Sequence, residues 1–67
     1  MTVKTIYDPK NDSLFVRLAE GEITESEEVR PNVIFDFDKD GMLVAIQVLR
    51  ASKNVAPNAE MDALKVA

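Results

Sequence analysis

The 67-residue chain contains no cysteine and no histidine. Without cysteine no disulfide can brace the fold. Without histidine, typical zinc sites, Ser-His and Cys-His nucleophile systems and imidazole acid–base chemistry are excluded. Glycine and proline are scarce, at 2 and 3 residues, while 46% of the chain is hydrophobic and 30% charged, so the composition is that of a folded domain rather than a disordered segment. Positive charge is in deficit: 8 Lys and Arg face 12 Asp and Glu, a net charge of −4. That balance argues against general binding to a phosphate backbone, and no nucleic-acid partner is expected. No apolar run approaches the ~20 residues of a membrane span, so no membrane partner is expected. No basic segment followed by an apolar one opens the chain, and the expected location is cytoplasmic.

What remains is one small domain. A folded monomer of 7.5 kDa exposes roughly 4,200 Å² and buries about 60% of its unfolded surface. A core of that size rarely supplies more than about 3–5 kcal/mol. With disulfides excluded, self-association is the expected remedy.

Hydrophobic periodicity along the chain is that of strands. Residues 3–7 are rich in β-branched and aromatic types and predict a first strand. Asp8-Pro9-Lys10-Asn11-Asp12-Ser13 has turn chemistry, with Pro9 presetting φ and the polar side chains available to backbone groups. Residues 14–19 predict a second strand with Leu14, Val16 and Leu18 on one face, ended by Gly21. An acidic stretch follows from Glu20 to Glu28. Odd positions then carry Ile23, Val29, Val33, Phe35 and Phe37, so residues 23–37 predict one long strand, bent at Pro31-Asn32. A tight hairpin at Pro31 is disfavoured, because the commonest hairpin turns need φ > 0 at the first central residue. Asp38-Lys39-Asp40-Gly41 is a turn in which Gly41 takes the left-handed position. Residues 42–50 predict the last strand, apolar on both faces and therefore covered on both. Ser52 suits a helix N-cap, and residues 58–67 suit a short amphipathic helix. Residues 1–55 thus form the domain and 56–67 a C-terminal tail or short helix.

Several groups are candidates for chemistry or binding. Asp36, Asp38, Asp40 and Gly41 match the first half of a calcium loop, but its twelfth position is Gln47 and its flanks are strands. The alternative is a β-hairpin with a polar tip, Asp36 and Asp38 lying on the solvent side opposite the phenylalanines. Glu25, Glu27 and Glu28 are candidates for docking a basic partner protein, or for guarding a strand edge. Asp8 with Asp12, or Asp36 with Asp38, has the residue types for acid–base work without histidine, but a domain this small encloses a pocket with difficulty. Tyr7 is expected to pack its ring inward with its hydroxyl on a turn group. No catalytic residue is assigned.

The ordered set Tyr7-Asp8-Pro9, Asp12-Ser13-Leu14-Phe15-Val16-Arg17-Leu18, Glu27-Glu28-Val29, Pro31 to Asp38, Asp40-Gly41, Leu43 to Ile46 and Ala51-Ser52-Lys53 resembles a small bacterial family, domain of unknown function 2283. The resemblance spans about residues 4–55. Phe15 stands where the family commonly has tyrosine, and Arg50 where an acidic residue is usual. The family carries no established activity. The resemblance implies a small stand-alone protein, in some members beside a toxin-like neighbour.

The expected fold is α+β and mainly β: a small antiparallel β-meander of about four strands with a short C-terminal helix, dimeric or of higher order. The expected function is a non-catalytic protein-interaction module, the neutralising partner in a toxin–antitoxin-like pair. The alternative is a small ligand- or calcium-binding protein with carboxylates at a turn or subunit interface. No other cofactor is expected.

Overall fold

The computed structural model describes residues 4–56 and 65–66. The elements are β1 (Lys4–Asp8), β2 (Ser13–Arg17), β3 (Glu25–Arg30), β4 (Val33–Phe37), β5 (Leu43–Val48), a single helical turn α1 (Ala51–Asn54) and the two-residue β6 (Lys65–Val66). All the strands join in one sheet of order β3-β4-β5-β2-β1-β6. The first five strands pair antiparallel; β6 adds to β1 in parallel. The fold is therefore small and mainly β, a hairpin β1–β2 laid against a meander β3–β4–β5.

Each connection follows from its residues. In the β1–β2 turn the Asp8 carboxylate accepts from the Lys10 and Asn11 backbone N–H groups at 3.0 and 3.4 Å and from Asn11 Nδ2 at 2.7 Å. Asp12 closes it in the left-handed region, φ 52°. The β4–β5 turn is a hydrogen-bonded turn from Asp38 to Gly41 with Gly41 at φ 78°, the three-residue hairpin pattern that ends in a left-handed glycine. The longer β2–β3 connection passes the ends of β5 and β4. Leu18 and Ala19 N–H groups both donate to the Val44 carbonyl, and Arg17 holds the loop by donating to the carbonyls of Ala19 and Gly21.

The expected long strand 23–37 is instead two strands. Pro31 and Asn32 make a tight hairpin between β3 and β4, with Asn32 at φ 69°. A proline that fixes φ at about −65°, followed by a residue at positive φ, is the type II pattern. That turn splays strands unless the register adjusts, and here a bulge lies between Glu28 and Arg30. The bulge also explains why periodicity hides the hairpin. It shifts the pairing by one residue, so Glu27 lies opposite Phe35 and Glu25 opposite Phe37. Odd positions face odd positions, and the stripe keeps its parity through a complete reversal of direction.

Two further expectations change. The helical turn is at Ala51–Asn54, earlier than residues 58–67, and Arg50 rather than Ser52 is its N-cap, at φ 50°. Most of the segment 58–67 lies outside the described residues; Lys65–Val66 is strand.

Cross-strand partners share a face of the sheet, so the register assigns the faces. Leu14 and Val16 of β2, Ile46 and Val48 of β5, and Val33 and Phe35 of β4 fall on one side. Phe37 joins Phe35, their rings edge to face at 6.5 Å. These are the stripes expected to form the core; each of these residues is partly buried, and Val44, on the same side of β5 as Ile46, is fully so. Among the described residues the buried apolar side chains are Val44, Ala45 and Ala51. Fully burying a valine or larger aliphatic contributes about 1.5–3 kcal/mol, so this interior is thin. A sheet normally buries its apolar face against a second layer. The described strands all lie in this one sheet, and none forms a second one.

Candidate functional site

Three groupings of polar residues and one apolar surface are candidates. The first is at the turn end of β1–β2. Tyr7 Oη donates to Asp12 Oδ1 at 2.8 Å. Ser52 contributes its backbone N–H to the same oxygen at 3.0 Å and its hydroxyl to Oδ2 at 2.6 Å. The Ala51 N–H donates to the Asp12 carbonyl at 2.8 Å. A left-handed Asp12 thus ties the first hairpin to α1, far along the chain. The Ser52 hydroxyl, then Tyr7, hold the Asp12 carboxyl below its ordinary range, with Lys53 adding its charge. The hydrogen bond to Asp12, with burial and the charges of Asp12 and Asp8, raises the Tyr7 phenol. Asp8 is lowered, first by Asn11. An aspartate lowered in this way is a weaker base, so the geometry is that of a tie rather than of a serine activated for attack.

The second grouping centres on Asp36. The alternation of β4 predicted that its side chain meets solvent. Instead Asp36 is fully buried, 0% exposed. Ser26 Oγ donates to Oδ1 at 2.6 Å and Gln47 Nε2 to Oδ2 at 2.8 Å. One carboxylate thereby links β3, β4 and β5. Asp38 instead closes the β4–β5 turn, its Oδ1 accepting the N–H groups of Asp40 and Met42 at 2.9 and 3.0 Å. Asp40 is exposed at the tip. The three aspartates of the calcium-like motif are therefore not brought together, and among the described residues no group of three or more carboxylates is arranged to hold a metal ion.

The third grouping is β3, exposed along its whole length at one edge of the sheet. Register sets Glu25 and Glu27 on the apolar side, beside Phe37 and Phe35, and Glu28 on the other. Glu28 also accepts the Asn32 N–H at 3.0 Å, supporting the turn. Among the described residues, one open cleft of about 170 Å³ lies beside Phe15 and Arg17 and another of about 340 Å³ is lined by Gly21, Glu22, Thr24 and Asp38–Asp40. Ligand pockets usually hold about 300–1,000 Å³ within concave walls.

A family model described as "Protein of unknown function (DUF2283)" matches residues 4–52. The chain belongs to this family. The DUF2283 match begins with β1 and ends at Ser52, the residue that returns to Asp12, so the matched region is the sheet closed by that tie. No curated protein and no solved structure matches the chain significantly. Among the described residues no helix is long and apolar enough to cross a membrane.

Sequence reasoning singled out Tyr7, Asp8, Pro9, Asp12 and Gly41 as turn formers, and each stands in or beside a turn. It missed Ser26 and Gln47 as partners of Asp36, and Ser52 as partner of Asp12. The polar Gln47 in an otherwise apolar strand was the one available signal.

Proposed function

We propose that this protein is a non-catalytic interaction module, a homodimer in the first instance, whose contact surface is the apolar face of its sheet. The supporting observation is that Leu14, Val16, Val33, Phe35, Phe37, Ile46 and Val48 are gathered on one face and none of them is fully buried. A standard interface removes about 800 Å² from each partner. Two such sheets stacked face to face form a sandwich with one shared core.

Sedimentation equilibrium at micromolar concentration tests the proposal. The expected species is a dimer whose melting temperature rises with protein concentration. Ile46→Asp should weaken association at least tenfold, whereas Met42→Asp, at a side chain 65% exposed, should leave it unchanged. A monomer that unfolds cooperatively and independently of concentration would overturn the reading.

A second contact is assigned to β3, which offers an exposed edge with Glu25, Glu27 and Glu28 to a basic partner. A pull-down at low salt tests it: one stoichiometric partner should be recovered and then lost when the three glutamates are changed to glutamine. A partner retained by the triple variant would remove that role.

A further inference from the structure

We infer that β3 takes up a basic partner as an added antiparallel strand, held by the backbone of Ser26 and Glu28, with cationic side chains opposite Glu25 and Glu27. This rests on the acidic contact proposed above and specifies how the partner is held.

The backbone directions of β3 follow from one hydrogen bond. Leu49 donates its N–H to the Asn32 carbonyl at 2.8 Å, at the end of the β4–β5 ladder. Directly opposed residues of an antiparallel pair alternate between those that exchange backbone bonds and those that do not. The β4–β5 bonds therefore belong to Asn32, Ile34 and Asp36 on one side and to Leu49, Gln47 and Ala45 on the other. Val44 agrees, since its carbonyl accepts from Leu18 on the β2 side. Val33, Phe35 and Phe37 turn their backbone groups the other way, to β3, where they meet Arg30, Glu27 and Glu25. Between those pairs, the N–H and C=O of Ser26 and the N–H of Glu28 point away from the sheet.

That edge is open. Every residue of β3 is exposed, and among the described residues no strand lies beyond it, whereas β1 at the other margin is partly paired with β6. Glu25 to Glu28 keep an unbroken register, the bulge coming only after Glu28, so a strand can lie along them. A sheet edge binds an extended segment through its backbone and selects it through alternate side chains. Here the selection is by charge. In a second copy, pairing Ser26 with Ser26 sets Glu25 opposite Glu27, and pairing Ser26 with Glu28 sets Glu27 opposite Glu27. Like charges directly opposite destabilise a sheet, so the edge rejects its own copy. A strand with Lys or Arg at alternate positions answers Glu25 and Glu27 together. Glu28 is already engaged by the Asn32 N–H, and Val29, 42% exposed just beyond it, offers that strand an apolar contact.

The probe is a synthetic peptide of about eight residues alternating lysine and valine, labelled for fluorescence anisotropy and titrated with the full chain at low salt. Lysines opposite Glu25 and Glu27 put valines opposite Ser26 and Glu28, so the valine N–H groups face β3 and the lysine N–H groups face water. Methylating the valine nitrogens should weaken binding about tenfold or more, and methylating the lysine nitrogens less than about threefold. If both methylated peptides bind like the parent, charge alone holds the peptide: the acidic contact stands and strand addition is overturned. If the lysine-methylated peptide loses as much as the other or more, the backbone phase derived above is overturned. If the parent peptide does not bind, or binds the double variant Glu25→Gln, Glu27→Gln as tightly as the native chain, the acidic contact and the strand addition fall together.

Discussion

Replacing Asp36 with asparagine and with alanine separates a need for charge from a need for hydrogen bonds. Each carboxylate oxygen accepts one bond, from Ser26 Oγ and from Gln47 Nε2. A hydroxyl both donates and accepts, whereas the glutamine amide nitrogen only donates. In Asp36→Asn the new carbonyl can keep Gln47 while the new NH₂ donates to Ser26, whose hydroxyl turns to accept. Both bonds survive, and the expected cost is under about 1 kcal/mol. Asp36→Ala loses both. Hydrogen bonds to charged groups contribute about 1.5–3 kcal/mol each. Ser26 is exposed and recovers a water, so the expected loss is about 2–4 kcal/mol. That approaches the whole stability of a domain this small, about 3–5 kcal/mol. Urea unfolding followed by circular dichroism, at one fixed protein concentration, gives the measurement. With a slope near 1 kcal/mol per molar, the midpoint should fall by about 2–4 M for alanine and by less than about 1 M for asparagine. Equal damage from both variants would show that the charge itself is required and would refute the rotating-hydroxyl argument.

The other predictions concern the turns and the tie. Asn32→Gly should leave stability within a few tenths of a kcal/mol, while Asn32→Ala, forced to positive φ, should cost about 1 kcal/mol by urea unfolding. Gly41→Ala should cost a similar ~1 kcal/mol from backbone strain alone, since a Cβ there meets nothing within 4 Å. The carboxyl of Asp12 is lowered on folding, so its contribution is complete above the unfolded value of about 3.9 and is lost as pH falls through that value toward the folded one. Ser52→Ala should raise the Asp12 titration seen by NMR and lessen the acid dependence of unfolding. Tyr7 is raised, so its contribution holds below about pH 10 and is lost as pH rises through the folded value; Asp12→Asn should bring the tyrosinate absorbance step to lower pH.

How much of this was legible in the sequence depended on the range of the interaction. The strands β1, β2 and β5 and the turns at Pro9 and Gly41 follow from local chemistry, and they stand where the residues predict. The apolar stripes were also assigned to one face correctly. Whether that face is covered within one chain is not written in periodicity, because alternation marks a side without marking what lies over it. Asp36 shows the same limit in reverse. Alternation sets it opposite the phenylalanines, but its burial depends on Ser26 and Gln47, on two other strands. Ser52 looked like a helix cap because caps are read from neighbours, while its partner Asp12 is 40 positions away.

The bulge between Glu28 and Arg30 acts as a phase shifter in the pattern of the sheet. Were the ladder to continue evenly from the Arg30–Val33 pair, Val29 would fall opposite Ile34, Glu28 opposite Phe35 and Glu27 opposite Asp36. Glu25 and Glu27 would leave the phenylalanine face, Ser26 would turn away from Asp36, and a glutamate would stand beside the buried carboxylate in its place. One residue with no partner across the sheet therefore decides whether the acidic strand rims the contact surface or repels the sheet's own interior. Deleting Val29 is a different perturbation: Glu28 already faces Ile34 and Arg30 faces Val33, so the deletion leaves every pairing and every face in place and removes only the local twist that fits the turn to the strands.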